Sequence, residues 1–157
     1  MAKIAFDIDG VLARGLDINK LNSGRDTEIY RNLMFDYRCL SLIEDLRRNN
    51  EIYIITARCS RYRDVTISWL SKHNLLYDKI FLNYYNDWRM GPRYKAEVIR
   101  WENIDVLIDD SPEVIDYVSR YTNCKTILFN GWKRVEKEFE HFFINAGNDN
   151  IKIGKRF

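Results

Sequence analysis

The sequence predicts a three-layer α/β fold: a parallel five-stranded sheet with helices on both faces. Three observations predict it. Five short runs rich in β-branched and aromatic residues recur, at positions 4–6, 52–55, 80–82, 106–108 and 126–129. Stretches of helical periodicity lie between them. No internal repeat and no Pro-, Gly- or Ser-rich linker divides the chain. Short apolar runs without alternation suit strands buried on both faces. Strands that alternate with helices suit parallel pairing through crossovers.

The elements follow in order. The first strand runs into Asp7-Ile8-Asp9-Gly10. Residues 33–48 carry Leu40, Ile43 and Leu46 at three-residue steps, with Leu42 beside them, and predict a helix. The second strand ends in Thr56-Ala57-Arg58, and residues 61–73 carry Val65, Trp69 and Leu70 on the next helix. After the third strand comes a turn at 86–92, then a helix over 93–101 with Val98, Ile99 and Trp101. The fourth strand ends in Asp109-Asp110-Ser111-Pro112, and Val114, Ile115 and Val118 mark a helix over 113–121. A last helix, 133–145, carries Val135, Phe139, Phe142 and Phe143. Pro92 and Pro112 stand where helices begin, a position that suits a fixed φ and a missing N–H. Ser111 is placed to cap the helix that follows it.

A chain of 157 residues suits one domain. Residues 1–146 are read as that domain, with 13–32 as a small lid loop and 147–157 as a polar, basic tail. An apolar fraction of 46% and a charged fraction of 31% fit a soluble globular protein. No stretch approaches the roughly 20 apolar residues of a membrane helix, and the start of the chain has no signal-peptide pattern. Cys39, Cys59 and Cys124 lack metal-ligand spacing and read as reduced thiols, so a cytoplasmic location is expected. His73 and His141 have no partner at ligand spacing and read as structural. A net charge of +2 neither demands nor excludes a nucleic-acid partner.

Open α/β sheets bind ligands at the C-terminal ends of their strands. Four carboxylates, Asp7, Asp9, Asp109 and Asp110, fall at two such ends. Like charges this close repel, and a hard divalent cation relieves them. Carboxylate oxygens suit Mg²⁺. If the strand continues past Asp7, Asp7 and Asp9 share a face; if the chain turns at Gly10, Asp9 can offer its backbone carbonyl instead. A carboxylate beside a metal can attack phosphorus, and a second can move the proton. Thr56 and Lys95 are placed to hold phosphate oxygens, with Lys79 as the rival lysine.

Asp7-Ile8-Asp9-Gly10-Val11, Thr56, Lys95 and Asp109-Asp110 resemble the four motifs of the haloacid dehalogenase superfamily, in its order. The resemblance covers nearly the whole chain and implies a Rossmann-like fold and an Mg²⁺-dependent phosphatase. It implies Asp7 as nucleophile and Asp9 as general acid and base. Thr56 and Lys95 would hold the phosphoryl group, and Asp110 would bind the metal, with Asp109 bound directly or through water. Val11 stands where threonine is commonest, and its backbone N–H is the implied phosphate contact. Gly10, Ala57 and Arg58 complete the substrate-binding set.

The gaps between motifs leave no room for a full cap domain, which favours a bulky substrate unless a neighbouring subunit closes the site. Thr56-Ala57-Arg58 with Ile108-Asp109-Asp110 is similar to the phosphatase domain of polynucleotide kinase-phosphatases, implying action on nucleic-acid 3′-phosphates. Residues 107–112 are similar to the 5′(3′)-deoxyribonucleotidases, implying mononucleotide substrates. A binding domain without turnover is the alternative of another class. Arg58, Arg61 and Arg63, with Arg14, Arg89 and Arg93, are candidates for a positive mouth, and Tyr62, Tyr84, Tyr85 and Trp88 for base stacking.

Overall fold

The structure, a computed structural model, describes residues 1–145; the expected tail at 147–157 lies outside them. Five strands form the main sheet: β1 (Lys3–Phe6), β4 (Glu51–Cys59), β5 (Lys79–Asn83), β6 (Val106–Asp109) and β7 (Lys125–Leu128). Their order is β5-β4-β1-β6-β7, and all four pairings are parallel. The strands expected at 4–6, 52–55, 80–82 and 106–108 lie within four of them, and the fifth covers most of 126–129. The chain leaves β1 for one side of the sheet and returns for the other, so the crevice that such sheets use for ligands opens beside β1.

Alternating side chains divide the core. On one face Ile4, Phe6, Ile52, Ile54, Val106, Ile108 and Ile127 pack beneath three helices, α2 (Cys39–Arg47), α3 (Arg63–Lys72) and α6 (Trp132–Asn145). On the other face Ala5, Tyr53, Ile55 and Leu107 meet α4 (Gly91–Glu102) and α5 (Pro112–Tyr121). Burial on both faces is why these strands read as unbroken apolar runs. Pro92 and Pro112 lie in the first turns of α4 and α5, and the Ser111 hydroxyl accepts from the Val114 N–H at 3.3 Å. No helix among the described residues is long and apolar enough to cross a membrane.

The helix expected over 33–48 is shorter than its pattern. Its first part is an extended segment, β3 (Met34–Phe35), paired antiparallel with β2 (Ala13–Arg14). Leu33 and Phe35 are buried while Met34 is exposed, a two-residue alternation that belongs to a strand. The Asp36 carboxylate then takes the Arg38 N–H, and the helix begins only at Cys39. Between β2 and β3 the chain forms a 3₁₀ turn at Ile18–Lys20 and one short helix, α1 (Asp26–Arg31). Asp36 secures this excursion: it accepts from Arg14, Arg38 and the Trp132 indole N–H.

Candidate active site

The site is built where β1, β4 and β6 end side by side. β1 stops at Phe6, and Asp7 keeps contact with the sheet through its N–H to the Ile108 carbonyl at 3.0 Å. The chain then turns back on itself: the Gly10 N–H reaches the Ala13 carbonyl at 2.9 Å, and the Ala13 N–H reaches Ile8 at 2.8 Å. Of the two geometries open to Asp7-x-Asp9, this is the turn at Gly10. Gly10 has φ +91°, which an L side chain resists. A Cβ there would also stand 2.0 Å from Oδ2 of Asp110, so the turn and the end of β6 fit only through a glycine.

Lys95, in the second turn of α4, is fully enclosed. Its Nζ donates to Asp7 at 2.7 Å and to Asp109 at 2.5 Å. Lys79 is exposed at the start of β5 and pairs with Glu102, so the rival lysine stands at the opposite end of its strand. Burial would lower the ammonium's pKa, but the Asp109 and Asp7 carboxylates outweigh it and hold Lys95 protonated. Burial pushes the Asp7 carboxyl well up; Lys95 opposes this, and Asp109 and Asp9 reinforce it. Asp110 is also raised, by burial and then by Asp109.

One lysine therefore serves several carboxylates. Oxygens of Asp7, Asp109 and Asp110 lie within 4.8 Å of one another, close enough to share a metal ion. Both oxygens of Asp109 are engaged, by Lys95 and by the Ser111 N–H at 3.0 Å. Excess negative charge in an all-oxygen set, with Asp7 and Asp109 buried and Asp110 open to the cavity, fits a hard divalent cation.

These residues floor a cavity of about 980 Å³, ample for a nucleotide-sized ligand. Asp7, Asp9, Gly10, Ala57, Arg58, Lys95, Asp109 and Asp110 all line it. Two residues expected to contact phosphate do not. Val11 is buried in the core, and its N–H donates to the Ile8 carbonyl at 3.2 Å; the tight turn spends the amide that was expected to meet phosphate. Thr56 is wholly buried one residue short of the lining, where its hydroxyl accepts from the Arg58 N–H at 3.2 Å.

Arg58 differs most from its expectation. It is not a mouth residue: its side chain is 1% exposed and forks onto Asp9, with Nε to Oδ2 at 2.8 Å and Nη2 to Oδ1 at 2.7 Å. The register of β4 against β5 shifts between Thr56 and Cys59, an irregularity that re-aims the strand end. Arg14, Arg89 and Arg93 are likewise held, by Asp36, Asp87 and Glu97. Arg61 and Arg89 reach the cavity wall; Arg63 is exposed and outside the lining. Tyr84 and Tyr85 bind Glu97 instead of facing the cavity, whereas Tyr62 and Trp88 do line it.

No protein-family model matches the chain. The architecture has solved counterparts. A haloacid dehalogenase family enzyme of Bacteroides thetaiotaomicron, BT-2542, solved as a magnesium complex, superposes with TM-score 0.61 at 15% identity, covering 87% of this chain and 98% of that one. The haloacid dehalogenase-like hydrolase SP0104 of Streptococcus pneumoniae gives 0.57 at 12% identity, covering 80% and 83%. The fold is that of the haloacid dehalogenase-like hydrolases. A chain of the Pnkp1/Rnl/Hen1 RNA repair complex gives TM-score 0.68 at 20% identity over 82% of this chain and 42% of that one. In sequence, the chain is 26% identical over 102 residues to "Putative nucleotidase YqfW" of Bacillus subtilis, covering 65% of this chain and 49% of that protein. It is 32% identical over 71 residues to the nucleotidase CA_C3379 of Clostridium acetobutylicum, covering 45% and 33%. The chain thus spans about half the length of the first of these relatives and a third of the second.

Within this haloacid dehalogenase-like fold, several lining residues carry no motif. Leu16, Ile18, Leu21, Asp26 and Tyr30 come from the excursion between β2 and β3, and Cys59 from the end of β4. Asp26 is buried and accepts from the Tyr62 hydroxyl at 2.7 Å. Their spacing gave no signal, because a short irregular segment has no periodicity.

Proposed function

We propose that the chain is an Mg²⁺-dependent phosphomonoesterase that acts on nucleotides through an aspartyl-phosphate on Asp7. The observation that carries this is Lys95 bridging Asp7 and Asp109, with Asp110 at metal-sharing distance, on the floor of a nucleotide-sized cavity.

Asp7 attacks phosphorus as the bond to the leaving oxygen breaks. Asp9 gives its proton to that oxygen, then takes one from the water that attacks the aspartyl-phosphate. Phosphate leaves and Asp7 is restored. Lys95 stays charged throughout and keeps the Asp7 carboxylate aimed. Asp7, Asp109 and Asp110, with a share from Asp9, would hold Mg²⁺, which when bound would supply positive charge to the phosphoryl oxygens and screen the attacking anion. The Gly10 turn and the Ala57 end of β4 border the phosphate; Thr56 supports that border from behind through Arg58. The segment 13–32 serves as a small lid over the single domain.

The lid favours a mononucleotide. Ile18 on the lid and Trp88 in the turn before α4 are both about half exposed and both line the cavity, so they offer apolar surface to a base. Four of the six arginines that the sequence offers for the mouth are paired with carboxylates. A polynucleotide backbone needs several free cations. The similarity to proteins named nucleotidases agrees. A second reading, removal of 3′-phosphates from nucleic-acid ends, is favoured by the likeness to a chain of an RNA repair complex.

Phosphate release from nucleoside 3′- and 5′-monophosphates and from 3′-phosphorylated oligonucleotides, with and without Mg²⁺, tests both. Preference for mononucleotides is expected, and preference for oligonucleotides selects the second reading. An unchanged rate in Asp7→Asn would sink the enzymatic proposal.

A further inference from the structure

Each of the three nitrogens of the Arg58 guanidinium donates a hydrogen bond. Two of its nitrogens fork onto the two oxygens of Asp9, and Nη1 donates to the Thr66 hydroxyl at 3.3 Å. The Tyr30 ring covers its face at 4.3 Å, and Trp69 lies at 5.6 Å. Asp9 differs in exposure: its side chain is 18% exposed and borders the cavity, while that of Arg58 is 1% exposed. The carboxylate is therefore gripped from behind and open in front. A two-point fork fixes the rotation of a carboxylate, which a single point charge does not.

The cover over this pair belongs to the lid. Tyr30 lies on α1, and α1 is fastened to the segment before α3 by the hydrogen bond from Tyr62 to Asp26 and by the Tyr30–Tyr62 ring contact at 5.1 Å. The same ring that seats α1 covers the Arg58 guanidinium and closes it off from water, leaving only Asp9 open to the cavity.

From this arrangement we infer that Arg58 is a positioning residue for proton transfer by Asp9, and that α1, through Tyr30, makes that positioning depend on the seating of the lid. The inference rests on the phosphomonoesterase reading. It assigns Arg58 to the chemistry rather than to the substrate. Arg58 touches no reacting atom; it aims the carboxyl that gives its proton to the leaving oxygen as the phosphorus–oxygen bond breaks.

Two substrates separate this role from a structural one. A nucleoside monophosphate expels an alkoxide and needs the proton. p-Nitrophenyl phosphate expels a stable phenolate and does not, although hydrolysis of its aspartyl-phosphate still needs Asp9 to activate water. Arg58→Ala should lower kcat on the nucleoside monophosphate about 10²–10³-fold, within the roughly 10²–10⁴-fold range of general acid–base catalysis, with KM changed only a few-fold. With p-nitrophenyl phosphate it should give a rapid burst of about one nitrophenolate per enzyme and then slow turnover. Guanidinium at tens of millimolar should restore part of the loss on the nucleoside monophosphate. Arg58→Lys keeps the buried cation, loses the fork and should give the same pattern; it decides the matter if the alanine variant does not fold by circular dichroism. Tyr30→Leu leaves the ion pair in place and should give a smaller loss of the same selectivity. Equal losses on both substrates without a burst, or no loss in the folded variants, would overturn the inference. Wild-type protein inert to both substrates with Mg²⁺ present would instead defeat the phosphomonoesterase reading.

Discussion

Gly10 and Asp110 compete for the same space: a Cβ on Gly10 would lie 2.0 Å from Oδ2 and 2.3 Å from Cγ of Asp110. The turn after β1 and the end of β6 are fitted together through a missing side chain. Gly10→Ala should therefore act twice. Its φ of +91° costs an alanine about 1–2 kcal/mol, and the methyl group must push the Asp110 carboxylate out of the metal-sharing cluster. Urea unfolding should show the loss of stability. Titration with Mg²⁺, followed by calorimetry or by the rise in Tm, should show weakened binding of roughly tenfold or more, since one ligand is displaced. Normal affinity would place the metal away from Asp110.

Lys95 is the cation shared by Asp7 and Asp109 on the carboxylate floor. Lys95→Met replaces it with a side chain of similar length and leaves Asp7 and Asp109 facing each other without compensation. Breaking a buried pair from one side costs about 3–5 kcal/mol. The variant should lose that much in urea unfolding without metal and recover part of it with Mg²⁺, which would answer the same negative charge. Phosphate release should stay low even after recovery, because the ion cannot replace the hydrogen bond that aims Asp7.

Burial raises the Asp7 carboxyl more than Lys95 lowers it. The folded state thus holds a proton there that the unfolded chain releases near its ordinary pKa of about 3.9. Over that window the native state binds more protons than the unfolded state, so the stability of the metal-free protein should fall as pH rises from about 4 through the folded value. Mg²⁺ binds the ionised carboxylate and should reverse the trend. Its stabilisation should grow with pH and reach about 2.7 kcal/mol at a hundredfold excess over Kd, or roughly 5–10 °C in Tm for a chain of this size. Thermal melts across pH 4–8, with Mg²⁺ and with chelator, give both slopes. Parallel slopes would mean that the cation does not bind at Asp7.

The sheet and most helices were legible because their signals are local and repeated. Val106, Leu107 and Ile108 are apolar on both faces of a buried strand, and Val114 and Val118 mark the inner face of α5. The carboxylates were legible because four of them at two strand ends have no reason to gather without a cation. The 33–48 stretch reads as one helix because Leu33 and Phe35, either side of Met34 in extended chain, directly precede the helical series, although the helix itself begins only at Cys39. Arg58 was misread for a different reason. Its burial depends on Asp9 49 residues away, on Tyr30 from another element and on a register shift in β4. None of these leaves a mark on the residues beside it. Val11 and Thr56 show the remaining gap: a motif fixes which residues stand at a strand end, while local turns decide which of their atoms are free.

Trp88 gives the sharpest test of what the cavity receives. It is 52% exposed, lies in the 3₁₀ turn before α4 and lines the cavity together with Ile18. A half-exposed indole beside a phosphate site is a ready platform for a base, and stacking on such a ring contributes about 1–3 kcal/mol per base. Trp88→Ala should raise KM for nucleoside monophosphates by about 5- to 150-fold, the same energy expressed as affinity. It should leave kcat nearly unchanged, because the contact is present before and during reaction alike. Hydrolysis of a phosphomonoester without a base, such as a glycerol phosphate, should be unaffected in both constants. An equal rise in KM for both substrates would mean that Trp88 shapes the phosphate floor, and the base would then have to rest against the lid residues Leu16, Ile18 and Leu21 alone.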